Sequence, residues 1–446
     1  MDNTSTPSET TPSLNRRILA LALPALGTLI AEPLLLAADS TMVGHLGTAP
    51  LAGLAAGSTL LAFIVGLCVF LAYTTTALTS RKIGEGDRCG ALTTGIQGLW
   101  LALAIGIIIA GILYVSTPEI LSLIGTRGDA LTHAISYTRA SAPGIVGMLI
   151  VLAGNGIMRG LLDTKTPLVI STLGSLANIP LSFVLIYPLD LGVAGAGIGT
   201  ALAQTAMGLA FCAVVVSHAR REGVSLAPAP ALIARSGLQG APLVVRTLSL
   251  QLTLVLSVSA AAKLGELTLA GHQILKTLWN ISAYGMDALA IAAQAFVGQA
   301  LGEGDRDAVR QLVTRLTRWG AACGLILGIL IAATSPFLPT LFGASGDVAR
   351  ASTWGLLAVA GCQVIAGVVY MYDGILIGAN DSRYLAIAQV IVLAIYAPVI
   401  LLVPAVSPGG TTGLVTVWLA YGVVCFGVRW ATLAWRIRTD TWMRAS

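Results

Sequence analysis

Twelve long apolar runs constrain this chain more than any other feature. They fall at 18–42, 50–78, 91–115, 130–157, 167–188, 192–217, 238–261, 268–299, 317–340, 350–377, 384–404 and 412–433. A helix needs about 20 mostly apolar residues to cross a hydrocarbon core about 30 Å thick, and each run reaches that length. Of the 446 residues 56% are hydrophobic and only 10% are charged, against roughly 25% charged in a soluble domain. Too few charges remain to coat a water-facing surface, so lipid is the solvent for most of the exterior. The 50 Gly and 18 Pro fit the same reading, because small residues let membrane helices approach and neighbours repair their breaks. Turn-forming segments separate the runs, including GEGDR at 84–88 and again at 302–306, DTKTP at 163–167 and SPGG at 407–410.

Basic residues set the expected orientation, because cytoplasmic loops hold an excess of Lys and Arg. With the N-terminus inside, one side collects 19 of them and the other only Arg127, Arg139, Lys263 and Arg350, while Arg246 and Lys276 fall inside runs. Both termini are therefore expected to be cytoplasmic. The net charge of +5 is spent on these short loops and is no nucleic-acid signal. The six Cys have neither metal-like spacing nor the pattern of a disulfide framework.

The two halves match at one fixed shift of 218 residues. Gly84-Glu85-Gly86-Asp87-Arg88 pairs with Gly302-Glu303-Gly304-Asp305-Arg306, Leu51-Ala52-Gly53 with Leu269-Ala270-Gly271, and Pro180 with Pro398. Six helices return the chain to its starting side, so the second unit repeats the orientation of the first. Repeats related by an axis along the membrane normal recur in secondary transporters, with binding near the midplane. The expected organisation is a disordered tail at 1–15, an N-lobe at 16–217, a cytoplasmic linker at 218–236, a C-lobe at 237–435 and a cytoplasmic tail at 436–446.

Charged groups at bilayer depth cost at least about 2.5–3.5 kcal/mol at a helix centre, so each needs a reason. Glu32 and Asp39 are seven apart in the first run, on nearly the same face of a helix. Pro33 between them removes a backbone hydrogen bond and bends the helix. Burial disfavours the charged form of a carboxyl, so this segment suits a group that exchanges a proton and changes helix shape. A bland alternative stands beside it: Asp39 lies about 33 Å along a straight helix counted from Arg17, where it would cap or snorkel at the interface. Glu32, about 22 Å along, suits a static hydrogen bond equally well. Asp287 lies mid-run and is a second-lobe candidate. Asp373, near the inner end of its run, reads as a loop anchor. His272 and Gln273 suit either packing or a pathway. Tyr137, Asn155, Asn178 and Thr200 are neutral polar residues of the first half, each more often a helix–helix hydrogen bond than a ligand. No phosphate-binding GxxxxGK[ST] loop occurs, so ATP hydrolysis is not the expected energy source. No HExxH, Cys/His cluster or nucleophile–base pair points to an enzyme.

The stretch EPLLLAADSTMVGHLG at 32–47, VGQALGEGD at 297–305, Met158-Arg159-Gly160 with Asp163-Thr164-Lys165-Thr166-Pro167, and GVAGAGIGTALAQ at 192–204 resemble the multidrug and toxic compound extrusion (MATE) family, its DinF-like branch in particular. The resemblance spans nearly the whole chain. It implies an all-helical membrane protein of twelve helices in two six-helix lobes, V-shaped around a central cleft, and ion-driven antiport of organic cations. It implies a proton site around Asp39 with Tyr137, Asn155, Asn178 and Thr200 as polar neighbours. Ser182 departs from the family, which often has a second aspartate there, and Glu32 is the expected compensation. The resulting expectation is a monomeric, multi-pass protein of the plasma (inner) membrane. It exports amphipathic, often cationic small molecules against inward proton movement, with no cofactor and no nucleic-acid partner. Alternatives are sodium-coupled antiport, a flippase for a lipid-linked or anionic amphiphile, for which Arg246 and Lys276 would both face the cleft, and a non-transporting receptor or scaffold.

Overall fold

The computed structural model describes residues 14–444, apart from the side chain of Glu32. The expected N-terminal tail thus lies outside the described residues as far as 13. Among the described residues every regular element is helical. Eleven helices are long and apolar enough to cross a membrane, and a bent pair makes a twelfth span. They are α1 (Leu14–Gly44), α2 (Thr48–Gly84), α3 (Arg88–Leu123), α4 (Gly128–Ser141 and Gly144–Gly160), α5 (Lys165–Ile186), α6 (Gly192–Arg221), α7 (Pro230–Lys263), α8 (Glu266–Glu303), α9 (Arg306–Thr334), α10 (Gly346–Gly378), α11 (Ser382–Val406) and α12 (Gly410–Arg438). Each of the twelve apolar runs overlaps one of these spans, the run 317–340 continuing past Thr334 into a short helix at Leu338–Leu341.

The repeat is written into the backbone. Gly86 and Gly304 adopt φ of 75° and 79°, and the aspartate after each caps the next helix. Asp87 accepts from Gly90 N at 2.7 Å, and Asp305 accepts from Asp307 N and Ala308 N at 3.0 Å. Glycine reaches left-handed backbone without a Cβ penalty, and Asp satisfies the orphan amides of the following helix. GEGDR is thus a stop followed by a start. Even the non-glycine left-handed residues Leu162 and Asn380 stand 218 apart.

Packing repeats as well. α1–α5, α2–α4, α3–α4 and α4–α6 in the first half correspond to α7–α11, α8–α10, α9–α10 and α10–α12 in the second. The halves meet through α2 and α1 against α8, and α3 against α7. At the GEGDR end the contact is reciprocal: a Cβ on Gly84 would overlap the carbonyl of Gln299, and one on Gly302 would overlap the carbonyl of Arg81. Arg81 and Gln299 are themselves 218 apart, so the two lobes close on each other about a pseudo-two-fold axis. Glycine there lets backbone lie on backbone.

Helices extend into both ends of the expected linker, leaving 222–229 as the non-helical connection. It is strapped to α3: Gln97 Nε2 donates to Ala227 O at 3.1 Å, Ala229 N donates to Gln97 Oε1 at 2.8 Å, and Trp100 Nε1 donates to Leu226 O at 3.0 Å. The segment expected as a C-terminal tail also folds back. α12 continues to Arg438, a 3₁₀ turn covers Thr441–Arg444, Trp442 is buried, and Arg310 pairs with Asp440 at 2.7 Å.

Candidate functional site

Asp39 on α1 is fully buried, 0% exposed. It neither caps α1 nor snorkels, which corrects the bland reading of its distance along the helix. Thr200 Oγ1 of α6 donates to its Oδ2 at 3.3 Å, and its Oδ1 has no partner among the described residues. Buried Asn178 and Ser182, one turn apart on α5, are bonded to each other: Ser182 Oγ donates to Asn178 Oδ1 at 3.2 Å. Ser182 also approaches Asp39. Tyr137 on α4 is buried beside Thr200 and Ser141 and senses the charge of Asp39. Small residues of α6 make the approach possible, since a Cβ on Gly199 would sit 2.5 Å from Ser182 Oγ and one on Gly197 would sit 2.7 Å from Tyr137 O. The sequence GVAGAGIGTALAQ thereby draws α4 and α5 in around the carboxyl. The fold brings Asp39, Tyr137, Asn178 and Thr200 together, with Ser182. Asn155 is buried, but no hydrogen bond joins it to Asp39 among the described residues. The side chain of Glu32 lies outside the described residues.

A second polar place lies in the other lobe. A cavity of about 240 Å³ is walled by α7, α8, α10 and α12 and by Val69 and Tyr73 of α2, next to the turn at Cys68 that interrupts that span. Arg246 Nη2 stands 3.2 Å from Asp373 Oδ2, and Arg429 Nη2 donates to the same oxygen. All three side chains are at most 8% exposed. Asp287 also lines the cavity, within electrostatic range of Arg246, Arg429 and Arg159. Asp373 is therefore no loop anchor: it is the shared acceptor of two buried arginines. Asp381, paired with Arg436 at 2.6 Å, does the anchoring at that end.

Two arginines escaped the sequence reading. Arg159 and Arg429 read in the sequence as residues of the basic side, yet they are 7% and 6% exposed. Removing them leaves 17 of the 19 on the basic side. Arg429 lay inside the run 412–433, and that position was the available signal. Of the pair expected to mark an anionic headgroup, Arg246 lines the cavity, whereas Lys276 lies beside His272 instead. His272 is buried against Trp418, ring centroids 5.4 Å apart, and Gln273 is exposed. Neither lines the cavity among the described residues.

A family model described as MatE matches residues 24–184 and 242–402. Those blocks are offset by 218 at both ends (242 − 24 and 402 − 184), the shift found within the sequence. The chain is 28% identical over 444 residues to Protein DETOXIFICATION 44, chloroplastic, of Arabidopsis thaliana, covering 96% of this chain and 83% of that one. It is 26% identical over 447 residues to DNA damage-inducible protein F of Escherichia coli (strain K12), covering 97% and 95%. A crystal structure of MATE in the bent conformation shares the fold, with a TM-score of 0.87 at 22% identity over 96% of each chain. With twelve spans in two repeated halves, and both halves matched by the one family model, the chain is a multi-pass membrane protein of the multidrug and toxic compound extrusion family, related to its DinF members.

Proposed function

We propose that this protein is a proton-coupled antiporter that exports amphipathic small molecules, organic cations among them, with Asp39 as the group that takes up the proton. The observation that carries the reading is a carboxyl with no solvent exposure, one oxygen accepting from Thr200, Ser182 close by, and Oδ1 without a hydrogen-bond partner among the described residues. A buried carboxylate is stable only when its charge is compensated. Here the neighbours are neutral hydroxyls and an amide, so a proton is the simplest compensation. Pro24 and Pro33 lie within the same helix, and each removes a backbone bond that would resist a change of course. Family membership supports export as the direction of transport. The reading calls for no catalytic step, metal or cofactor. It places a monomer in the plasma (inner) membrane with both termini inside.

Sodium coupling at Asp39 is the nearest rival, since the oxygens of Asp39, Asn178 and Thr200 suit a hard cation. Proteoliposomes with an imposed pH gradient, with and without sodium, separate the two. Efflux driven by the pH gradient alone, and abolished in Asp39→Asn at normal expression, is the expected result. Full export by Asp39→Asn would remove Asp39 from the mechanism. A flippase for a lipid-linked anion is supported by Arg246 at the cavity wall and opposed by Lys276 away from it.

A further inference from the structure

We propose that the groove where α1 meets α8 and α9, at the GEGDR end, binds the phosphate of an anionic membrane lipid through the guanidinium groups of Arg17, Arg315 and Arg318. The site is independent of what is transported; it shares with the reading above only the assignment of this end to the inner face.

The groove is an open cavity of about 640 Å³. Arg17 of α1, Phe296 and Glu303 of α8, and Arg310, Arg315 and Arg318 of α9 line it, so four arginines face one acid. Arg310 pairs with Asp307 at 2.9 Å and with Asp440 at 2.7 Å. Glu303 accepts from Gln299 Nε2 at 3.0 Å. Arg17 lies over the ring of Phe296, 5.2 Å from its centroid. Among the described residues no ion pair engages Arg17, Arg315 or Arg318.

A solvated face is the simplest use of exposed arginines, and the internal repeat argues against it here. A matching groove of about 370 Å³ lies in the other half, with its lining 218 residues away. Leu78 stands for Phe296, Glu85 for Glu303, Gln97 for Arg315 and Arg235 for Arg17. The connector at 222–229 is fastened to the wall of that groove by Gln97 and by Trp100, the counterpart of Arg318. The two residues that hold a stretch of backbone in one half are thus both arginines in the other. An amide and an indole suit peptide groups, whereas guanidiniums meet phosphate oxygens as paired N–H donors.

Depth points to a lipid as the source of that phosphate. After Arg318 no charged residue occurs until Asp347, and after Arg17 none until Glu32. Both arginines therefore stand where apolar helix begins. Trp319 donates from Nε1 to Asn15 Oδ1 at 3.1 Å and ties α9 to the start of α1, and tryptophan concentrates at the membrane boundary. Arg315, Arg318, Ala322, Leu325 and Ile329 are all exposed, at alternating spacings of three and four that put them on one face of α9. A phosphate in the groove leaves its acyl chains against Leu325 and Ile329, whereas a soluble phosphate uses only the basic half of the stripe. Basic pockets between membrane helices on the cytoplasmic side hold anionic headgroups by this chemistry. The walls come from both lobes, so the lipid joins them at the end where Gly84 and Gln299 touch.

The test titrates full-length protein in detergent with dioleoylphosphatidylglycerol or dioleoylphosphatidylcholine and counts bound lipid by native mass spectrometry. The anionic lipid should bind roughly tenfold tighter. Arg315→Gln combined with Arg318→Gln should remove that preference. Arg17→Gln, on the other wall, should weaken it severalfold and gives an answer where the double variant fails to fold. Arg220→Gln combined with Arg221→Gln removes equal charge from the same side outside the groove and should leave the preference intact. An equal loss in that control would overturn the proposal, because it would show general attraction to the basic side. Displacement of the lipid by millimolar inorganic phosphate would overturn it in favour of a soluble anion. The sequence before Leu14 has two acids, Asp2 and Glu9, and Glu9 stands 218 before Ala227. No lipid preference in the unaltered protein, with one created by Asp2→Asn combined with Glu9→Gln, would overturn the proposal by making that segment the occupant. Asp39→Asn should keep the lipid preference even as it loses pH-driven export, so failure of the proton reading and failure of this site are told apart.

Discussion

The two lobes have one architecture and place their ionisable groups in different places within it. In the N-lobe the acid is Asp39, with Thr200, Asn178 and Ser182 around it. At the matching C-lobe positions stand Ser257, Trp418, Tyr396 and Ile400. There Ser257 and Tyr396 share a hydroxyl–hydroxyl hydrogen bond of 2.8 Å. The reverse holds at a second set of matched positions: Thr28, Asn155 and Phe211 are neutral where the C-lobe has Arg246, Asp373 and Arg429. Backbone breaks are divided in the same spirit. α4 is bent by 57° between its two segments, whereas its counterpart α10 runs unbroken from Gly346 to Gly378. α12 carries a π turn that α6 lacks. The repeat supplies equivalent positions, and different side chains at them give each lobe its own set of charges.

Substitutions at paired positions sharpen or break that contrast. The largest effect is expected for Asp373→Leu, which leaves two buried guanidiniums without an acceptor and should cost about 3–5 kcal/mol. Asn155→Leu at the paired position should cost no more than about 1–3 kcal/mol. Thermal unfolding midpoints in detergent measure both, and equal losses would mean that the ionic cluster is not special to the C-lobe. Next come Gly84→Val and Gly302→Val, each forcing a side chain into the facing backbone, at about 1–3 kcal/mol. Because the contact is reciprocal, the two should lower disulfide yield between Arg81→Cys and Gln299→Cys by similar amounts; a one-sided effect would count against the pseudo-symmetric closure. Ser257→Ala should cost about 1 kcal/mol and leave pH-driven efflux intact, in contrast to Asp39→Asn, and loss of efflux would show that the C-lobe position also couples. The smallest change is expected at the exposed pair Arg88–Glu222, 2.9 Å apart: Arg88→Ala should alter stability by less than about 1 kcal/mol, and a larger loss would indicate that the connector at 222–229 holds the lobes together.

By itself the sequence determined the number of spans, their order and the repeat, because these depend on runs of transfer free energy and on local turn chemistry. GEGDR stops one helix and starts the next wherever it occurs, and a 20-residue apolar run has few alternatives to crossing a bilayer. The sequence also pointed to Asp39, since an acid inside such a run is conspicuous. Only the tertiary structure decided which polar groups meet. Asp373, Arg246 and Arg429 come from three helices, and nothing in their spacing foretells that one carboxylate oxygen serves two arginines. Arg429 sits far enough toward the end of its run to pass for a loop residue, and Trp442 sits in a segment that reads as a free tail. Burial of such residues depends on how neighbouring helices pack, a long-range property that hydropathy along one chain does not contain.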